Sequence, residues 1–141
     1  MTISLEDAQI LIAAINAKSV ELGVTVSAVV VDAGGALKAA SRMDGAAPIT
    51  LEIAWAKANQ SVMTGFDGDE IVRLYRERPN NMAAVDRLLP RPLVPGLGGL
   101  RIRKSGQVVG AVGVSGAKER LDGALADHAA AIDIGTGPNA R

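Results

Sequence analysis

Two short glycine-containing turns, each lying between apolar runs, constrain the fold of this chain more than any other feature. The first apolar run ends at 29–32 with the letters VVVD, turns at 33–35 and returns through 37–42. The second begins at Gly98, turns at 104–107 and returns through 108–116. Apolar runs joined by short glycine turns are typical of β-hairpins. The sequence therefore predicts two antiparallel hairpins, in a sheet of about five strands.

Helix signals surround both hairpins. Ser4 with Asp7 three residues later predicts the start of a first helix, and Gly23 predicts its end. Pro48 and Gly65 bracket a second helix in the same way. Three more helices are predicted, a short one after Asp67, another inside 81–89 and a last one over about 118–132. Helices that flank an antiparallel sheet make an α+β domain.

The length bounds the organisation. A chain of 141 residues predicts one domain, 1–141, with a core large enough to fold on its own. The tail 134–141 is expected to be loose. The segment 79–99 holds four of the six prolines and three glycines, and a loop of that length usually covers a site or an interface.

Composition narrows the classes of partner. Fifteen basic and fifteen acidic side chains cancel, and aromatic residues make up only 2%, so neither nucleic acid nor an anionic membrane is an expected partner. No apolar run approaches the roughly 20 residues of a membrane-spanning helix. The N-terminus shows no signal-peptide pattern, and zero cysteines exclude disulfides and thiolate chemistry. A cytoplasmic location is expected.

Charged residues follow the first hairpin. Arg42, Asp44 and Gly45 lie at the end of its returning strand, and Lys57 follows on the second helix, on a face away from the predicted core stripe. A guanidinium suits a carboxylate, while a carboxylate or an amine can move a proton. These residues predict a site for a small anionic ligand. The alternative is a structural ion pair, either Arg42–Asp44 or Lys57–Asp44.

The glycines of the second hairpin have two interpretations. Gly98 and Gly99 follow the proline-rich segment and are expected to form a pocket wall, where bare backbone can approach a ligand. Gly110 and Gly113 lie inside a strand that glycine weakens, so close packing of another element is the favoured reason for them. Ser115 is a candidate N-cap of the last helix.

Together these segments resemble the GlcG/HbpS family of haem-binding and "haem-degrading domain" proteins, which includes the C-terminal domain of PduO. The resemblance rests on the hairpin at 29–42, on 42–46 (RMDGA), on 56–58 (AKA), on Gly98 and Gly99, on the glycine run 109–116, and on Asp122 and Ala126. It implies an α+β fold, a homo-oligomer, and a ligand that is haem or a related tetrapyrrole. Arg42 and Lys57 would then pair with the propionates.

An axial ligand for haem iron is the weak point of that resemblance. Haem-binding members of the family are expected to use a histidine of the first helix, where this chain has residues such as Asn16 and Lys18. Its single histidine, His128, falls on the apolar stripe of the last helix and is predicted to be a core residue. The remaining candidates are Tyr75 and Met43. No other metal site or nucleotide-binding motif is predicted.

Two alternatives to a tetrapyrrole-binding protein stay open. The first is a cofactor-free isomerase or lyase acting on a small organic acid. Arg42 would hold the carboxylate, and Asp44 or Lys57 would act as the catalytic group. The second is an accessory protein without chemistry of its own.

Overall fold

The computed structural model describes residues 1–135 and shows five helices packed on a four-stranded antiparallel sheet. The elements follow in the order α1 (Leu5–Leu22), β1 (Ser27–Asp32), β2 (Leu37–Arg42), α2 (Pro48–Thr64), α3 (Gly68–Glu77), α4 (Pro79–Asp86), β3 (Gly99–Lys104), β4 (Gln107–Ser115) and α5 (Glu119–Ala130). The α+β class is confirmed. The sheet has four strands where about five were expected, because within residues 1–135 the two hairpins alone supply the strands.

The two hairpins join through their inner strands. The sheet order is β2-β1-β4-β3, so β1 and β4 lie at the centre. Ser27 faces Ser115 in the register of β1 with β4, and it faces Arg42 in the register of β1 with β2. Because side chains alternate along a strand, this pairing puts those three residues on one face at one end of the sheet.

The helix ends follow the signals in the sequence. The hydroxyl of Ser4 accepts a hydrogen bond from the amide of Asp7, and Gly23 ends α1 in the left-handed region with φ +70°. Asp67 and Glu70 form the capping box of α3. Ser115, in contrast, does not cap α5, because it is the last residue of β4 and the N-cap is Lys118.

Each face of the sheet is covered by different helices. One face packs against α1 and α5 and holds the largest core cluster, with Leu11, Ile15, Val30, Val112 and Leu125 fully buried. The other face packs against α2. A third, smaller cluster joins α3 and α4 to the proline-rich segment through Ile71, Met82 and Leu93.

Gly113 explains how α2 comes so close to the sheet. A Cβ atom added there would collide with the carbonyl oxygen of Ala54 and would lie 2.8 Å from the amide nitrogen of Ala58. A Cβ on Gly110 would collide with the carbonyl oxygen of Val31 on the neighbouring strand. Both glycines serve close backbone packing, as the sequence predicted.

Two expectations near the C-terminus are wrong. His128 is exposed on α5, so it is not a core residue. The apolar stripe that includes His128 in the sequence also includes Ala124, which is exposed too, since α5 meets the core along Leu125 and Ala129 instead. Ile134 is only 6% exposed and packs into the main core, so the expected loose tail does not begin at 134. Its remainder, 136–141, lies outside the described residues.

Among residues 1–135, none of the helices is long and apolar enough to cross a membrane.

Candidate functional site

Lys57 is a buried charge in the middle of α2. Its side chain is 6% exposed, and its Nζ donates a hydrogen bond to the carbonyl oxygen of Val114 at 3.0 Å. The same Nζ lies 3.6 Å from Oδ2 of Asp122 in the first turn of α5. The lysine therefore bridges α2, the end of β4 and α5. The expected ion pair between Lys57 and Asp44 is absent from residues 1–135, and Asp122 takes that place.

The proline-rich segment covers the face of α2 that carries Lys57. The amide of Gln60, one turn further on, bonds both the N–H and the carbonyl of Val94, at 2.8 and 2.9 Å. A Cβ on Gly96 would lie 3.5 Å from Cε of Lys57. The sequence placed Lys57 correctly off the core stripe. It did not predict burial, because the covering residues lie more than 30 positions away.

Gly98 lies directly against the ion pair. It has φ +114°, and a Cβ built on it would lie 2.5 Å from the carbonyl oxygen of Val114, 3.1 Å from Cβ of Asp122 and 3.3 Å from Nζ of Lys57. Only glycine fits both the backbone angle and the space. Gly99 is equally confined, since its Cβ would lie 2.6 Å from the carbonyl oxygen of Lys57.

Asp122 connects the ion pair to the backbone ahead of α5. Its Oδ1 accepts a hydrogen bond from the amide of Ala117 at 3.0 Å, while Oδ2 faces Lys57. The carboxylate thus satisfies an N–H group just before the helix, a task that the sequence had suggested for Ser115. The sequence analysis counted Asp122 among the residues that carry the family resemblance but gave it no role, because no local pattern predicts its ion pair with Lys57.

Burial shifts the pKa of both partners toward the neutral form. It lowers the pKa of the Lys57 ammonium, against the attraction of Asp122 and Glu119. It raises the pKa of the Asp122 carboxyl, against the hydrogen bond from Ala117 and the charge of Lys57. Desolvation is the largest cause of the pKa shift in each case, so burial disfavours the charged form of both groups.

A cleft of about 380 Å³ opens on the outer side of Gly98 and Gly99. Its walls come from the start of α3, the segment 97–100 and the exposed side of α5. The charged side chains in its lining are Asp67, Asp69, Arg120 and Asp127. Its volume falls within the range of about 300–1,000 Å³ that is usual for small-molecule pockets.

The cleft is not a cationic surface. Asp67 is paired with Arg101 through a hydrogen bond of 2.9 Å, so its charge is compensated. The remaining charged residues of the lining are two carboxylates, Asp69 and Asp127, and one guanidinium, Arg120. Arg120 is the one basic residue of this lining, and sequence reasoning missed it because an exposed arginine on a helix is a common feature.

Arg42 and Asp44 form a different environment, at the outer corner of the sheet. Both are exposed, and Nη1 of Arg42 donates a hydrogen bond of 2.8 Å to the carbonyl oxygen of Ala46. Within residues 1–135 neither side chain has an ion-pair partner, so the expected Arg42–Asp44 salt bridge is absent. Most of the five N–H donors of Arg42 are available to a ligand.

The corner formed by Arg42 and Asp44 and the buried site around Lys57 lie at the same end of the sheet, without contact between them. Arg42 faces Ser27, which faces Ser115, and Ser115 follows the residue whose carbonyl binds Lys57. Two strand spacings, about 10 Å, separate the backbones of Arg42 and Ser115. Of the five predicted site residues, Lys57, Gly98 and Gly99 lie together, while Arg42 and Asp44 lie apart from them.

Metal ligation finds no support in the described part of the chain. Residues 1–135 contain no group of three or more His, Cys, Asp or Glu side chains arranged to hold a metal ion.

Comparison with known proteins identifies the family. The family model described as "Haem degrading protein HbpS-like" matches residues 3–131, nearly the whole chain. The chain belongs to the HbpS-like family. The protein GlcG of Escherichia coli K12 is 39% identical to this HbpS-like chain over 92 residues, a match that spans 64% of each protein. The match thus covers less than two thirds of that relative.

Solved structures share the HbpS-like fold over a longer stretch. The protein ORFY of Klebsiella pneumoniae superposes with a TM-score of 0.84 at 31% identity, covering 92% of this chain and 89% of ORFY. A complex of PduOC with haem gives 0.82 at 26% identity, over 93% and 94% of the two chains. HbpS of Streptomyces reticuli, as a double mutant, gives 0.81 at 26%, over 93% and 86%.

Proposed function

We propose that this protein binds a small ligand, with haem or a related tetrapyrrole as the first candidate. The supporting observation is the fold shared with PduOC, whose structure contains haem, at a TM-score of 0.82 over 93% of this chain. The family description, "Haem degrading protein HbpS-like", points to the same class of ligand. A relationship at 26% identity supports the ligand class and leaves the binding residues to be argued from this chain.

The cleft beside Gly98 and Gly99 is our proposed binding site. The two glycines expose backbone on one wall, and the exposed side of α5, at Gly123 and Ala124, forms the other. A flat ring system would lie between these walls and against the side chains of Leu97 and Leu100, which also line the cleft. The backbone of that wall is held by a hydrogen bond of 2.9 Å from the N–H of Val114 to the carbonyl oxygen of Gly98, and the Lys57–Asp122 pair lies directly behind it.

The residues of this chain do not fit axial ligation of haem iron. His128 is exposed on α5 and does not line the cleft. Sδ of Met43 lies 3.4 Å from the amide nitrogen of Val26, which donates to it. Burial raises the pKa of the Tyr75 phenol, which opposes the phenolate form that would ligate iron. We therefore propose that binding depends on the ring and its carboxylates, without an iron ligand from residues 1–135.

Carboxylates of the ligand have two candidate partners. Arg42, with exposed and unpaired donors, suits a propionate that reaches the corner of the sheet, and Asp44 would orient it. Arg120 suits a carboxylate that stays in the cleft. Lys57 would act at a distance, because its Nζ is already held by Val114 and Asp122. Because Arg42 lies on β2 and Gly99 on β3, at opposite edges of the sheet, about 14 Å separates their strands, and only a ligand carboxylate that extends beyond the cleft would reach Arg42.

A titration with haem and with iron-free protoporphyrin IX, followed by visible absorbance, tests this proposal. Without an axial ligand, the two should bind with affinities within roughly tenfold, or about 1.4 kcal/mol. Ala124→Trp should fill the cleft and weaken the binding of both ligands, while the matched control Ala83→Trp, at an exposed position of α4 outside both clefts, should weaken the binding of neither. Absence of any saturable binding, or equal binding by both variants, would contradict the proposed site.

The cofactor-free isomerase or lyase has less support. Such an enzyme needs a substrate carboxylate on Arg42 and a proton-transfer group beside the substrate carbon. Lys57 makes no contact with Arg42 or Asp44 in the described structure, and its amine is buried against Asp122. Asp44 would have to act alone on an open surface, where nothing desolvates it.

We also propose that the protein self-associates and works in the cytoplasm. Exposed apolar side chains on the outside of α1 support self-association, namely Leu5, Ile10, Val20 and Leu22. Light scattering should give a multiple of the 14.5 kDa chain mass at micromolar concentration, and a monomer mass would contradict the proposal. A chain without cysteine has no disulfide that would require an oxidising compartment.

A further inference from the structure

A second cleft, of about 410 Å³, lies between the end of α2 and the helices α3 and α4. It shares no lining residue with the cleft at Gly98. Its walls are mainly apolar, with Leu74 and Met82 in the small cluster that joins α3 to α4, and Met63, Phe66 and Leu88 nearer the surface. Met63 is 46% exposed, Phe66 37% and Leu88 82%.

Arg78 is the single charged residue among those that line this cleft. Its backbone is fixed by two helices, because its N–H donates to the carbonyl of Leu74 at 2.7 Å and its carbonyl accepts from Met82 at 3.0 Å. The guanidinium therefore starts from a rigid position between α3 and α4.

Carboxylates close to Arg78 in sequence are engaged elsewhere. Glu77 pairs with Arg73 at 3.0 Å, and Oδ1 of Asp86 accepts a hydrogen bond from the amide of Leu93 at 2.7 Å. Among residues 1–135 Arg78 has no ion-pair partner. An apolar cleft with one unpaired guanidinium is complementary to an apolar molecule that carries one carboxylate.

We propose that this cleft binds an amphipathic monocarboxylate of the medium-chain fatty-acid type. The apolar tail covers Met82, Leu74 and Phe66, and the carboxylate pairs with Arg78. Its volume of about 410 Å³ lies within the usual range of about 300–1,000 Å³ for small-molecule pockets and leaves room for a medium-length chain. Exposed apolar surface, otherwise unfavourable in water, is thereby covered.

Calorimetric titration with octanoate, and with octan-1-ol as its uncharged counterpart, tests the assignment. Octanoate should bind saturably at one per chain. Arg78→Gln should weaken octanoate about tenfold, the effect of removing one charge-assisted pair at an exposed position, and should leave octan-1-ol unchanged. Arg76→Gln is the matched control, because Arg76 is exposed in the last turn of α3, two residues before Arg78, and does not line the cleft.

Leu88→Asp gives an independent variant that should fold, since Leu88 is 82% exposed. A carboxylate at the edge of the cleft should repel octanoate and weaken its binding by a similar factor. Three results would overturn the proposal. They are no saturable octanoate binding, equal affinity in Arg78→Gln and Arg76→Gln, and a lower mass of Leu88→Asp in light scattering, which would assign the cleft to a second copy of the chain.

Discussion

Lys57 and Arg42 are both basic residues that the sequence assigned to one ligand site, yet the fold places them in opposite environments. Lys57 is 6% exposed at its side chain, bonded to a strand end and paired with Asp122. Arg42 lies on the surface with one hydrogen bond to Ala46 and no ion pair within residues 1–135. A buried charge must be satisfied by the protein itself. An exposed one remains free to meet a ligand, so we expect Lys57 to contribute to stability and propose Arg42 for recognition.

The substitution expected to have the largest effect on stability is Lys57→Met. Removing the ammonium leaves the Asp122 carboxylate buried without its charged partner, which typically costs about 3–5 kcal/mol of unfolding free energy. Chemical denaturation at neutral pH measures it. Lys118→Met, which removes an exposed lysine before α5, should change stability by no more than about 0.5 kcal/mol.

A double variant sharpens that result. Lys57→Met with Asp122→Leu replaces the ion pair by apolar groups, and such a replacement is often neutral for stability. The Ala117 amide loses its acceptor, so we expect recovery of most, rather than all, of the loss. A double variant as unstable as Lys57→Met alone would mean that the lysine acts through packing and not through its charge.

Replacing one glycine in each region tests how crowded the buried site at Gly98 and the surface corner at Gly45 are. Gly98 and Gly45 both have positive φ, +114° and +86°, so alanine strains the backbone at each. At Gly98 the new Cβ would also lie 2.5 Å from the carbonyl oxygen of Val114, whereas at Gly45 its nearest neighbour would be Thr25 Cγ2 at 3.9 Å. We expect Gly98→Ala to cost about 3 kcal/mol and Gly45→Ala about 1 kcal/mol. Equal losses in thermal unfolding would contradict the crowding at Gly98.

The pH dependence of Lys57→Met should reveal Asp122 as the group left behind. Burial already raises the pKa of Asp122, and loss of Lys57 removes an influence that lowers it. The folded variant then binds a proton at a pH where the unfolded chain does not, so its stability rises as pH falls from the raised pKa toward the ordinary value of 3.8.

Denaturation at a series of pH values measures that effect. The difference in unfolding free energy between wild type and Lys57→Met should shrink on acidification from pH 8 toward the ordinary carboxyl pKa of 3.8. In the variant that also carries Asp122→Leu the shrinkage should vanish. A gap that stays constant across this range would show that another group carries the dependence.

Local sequence signals predicted much of the fold. Ser4, Gly23, Gly65 and Asp67 end or begin helices as their residue types suggest, because capping depends on neighbours within four positions. The two hairpins follow from their turns for the same reason. Gly113 could be assigned to packing since no local need explains a glycine inside a strand. Each of these inferences depends on short-range chemistry.

The site was harder to predict because it is assembled from distant segments. Burial of Lys57 requires the loop at 94–98, and its partner Asp122 comes from a helix 65 positions later. Helical periodicity alone also predicted the wrong environment for His128. The face of α5 that is buried is the one that packs against α1 and the sheet, and His128 lies outside that face. Charge and residue type indicated which residues were candidates, and tertiary packing decided which of them are available.

The smallest effect on stability, and the most direct on function, is expected at Arg42. Because its side chain is exposed, Arg42→Lys should change the unfolding free energy by no more than about 0.5 kcal/mol. Lysine keeps the charge but loses the planar fork that grips a carboxylate at two points. If Arg42 pairs with a propionate, haem should bind about tenfold more weakly to the variant. Lys38→Arg, on the same strand, serves as a control that should leave haem affinity unchanged. Unaltered affinity in Arg42→Lys would place the carboxylates of the ligand elsewhere, with Arg120→Gln as the next variant to titrate.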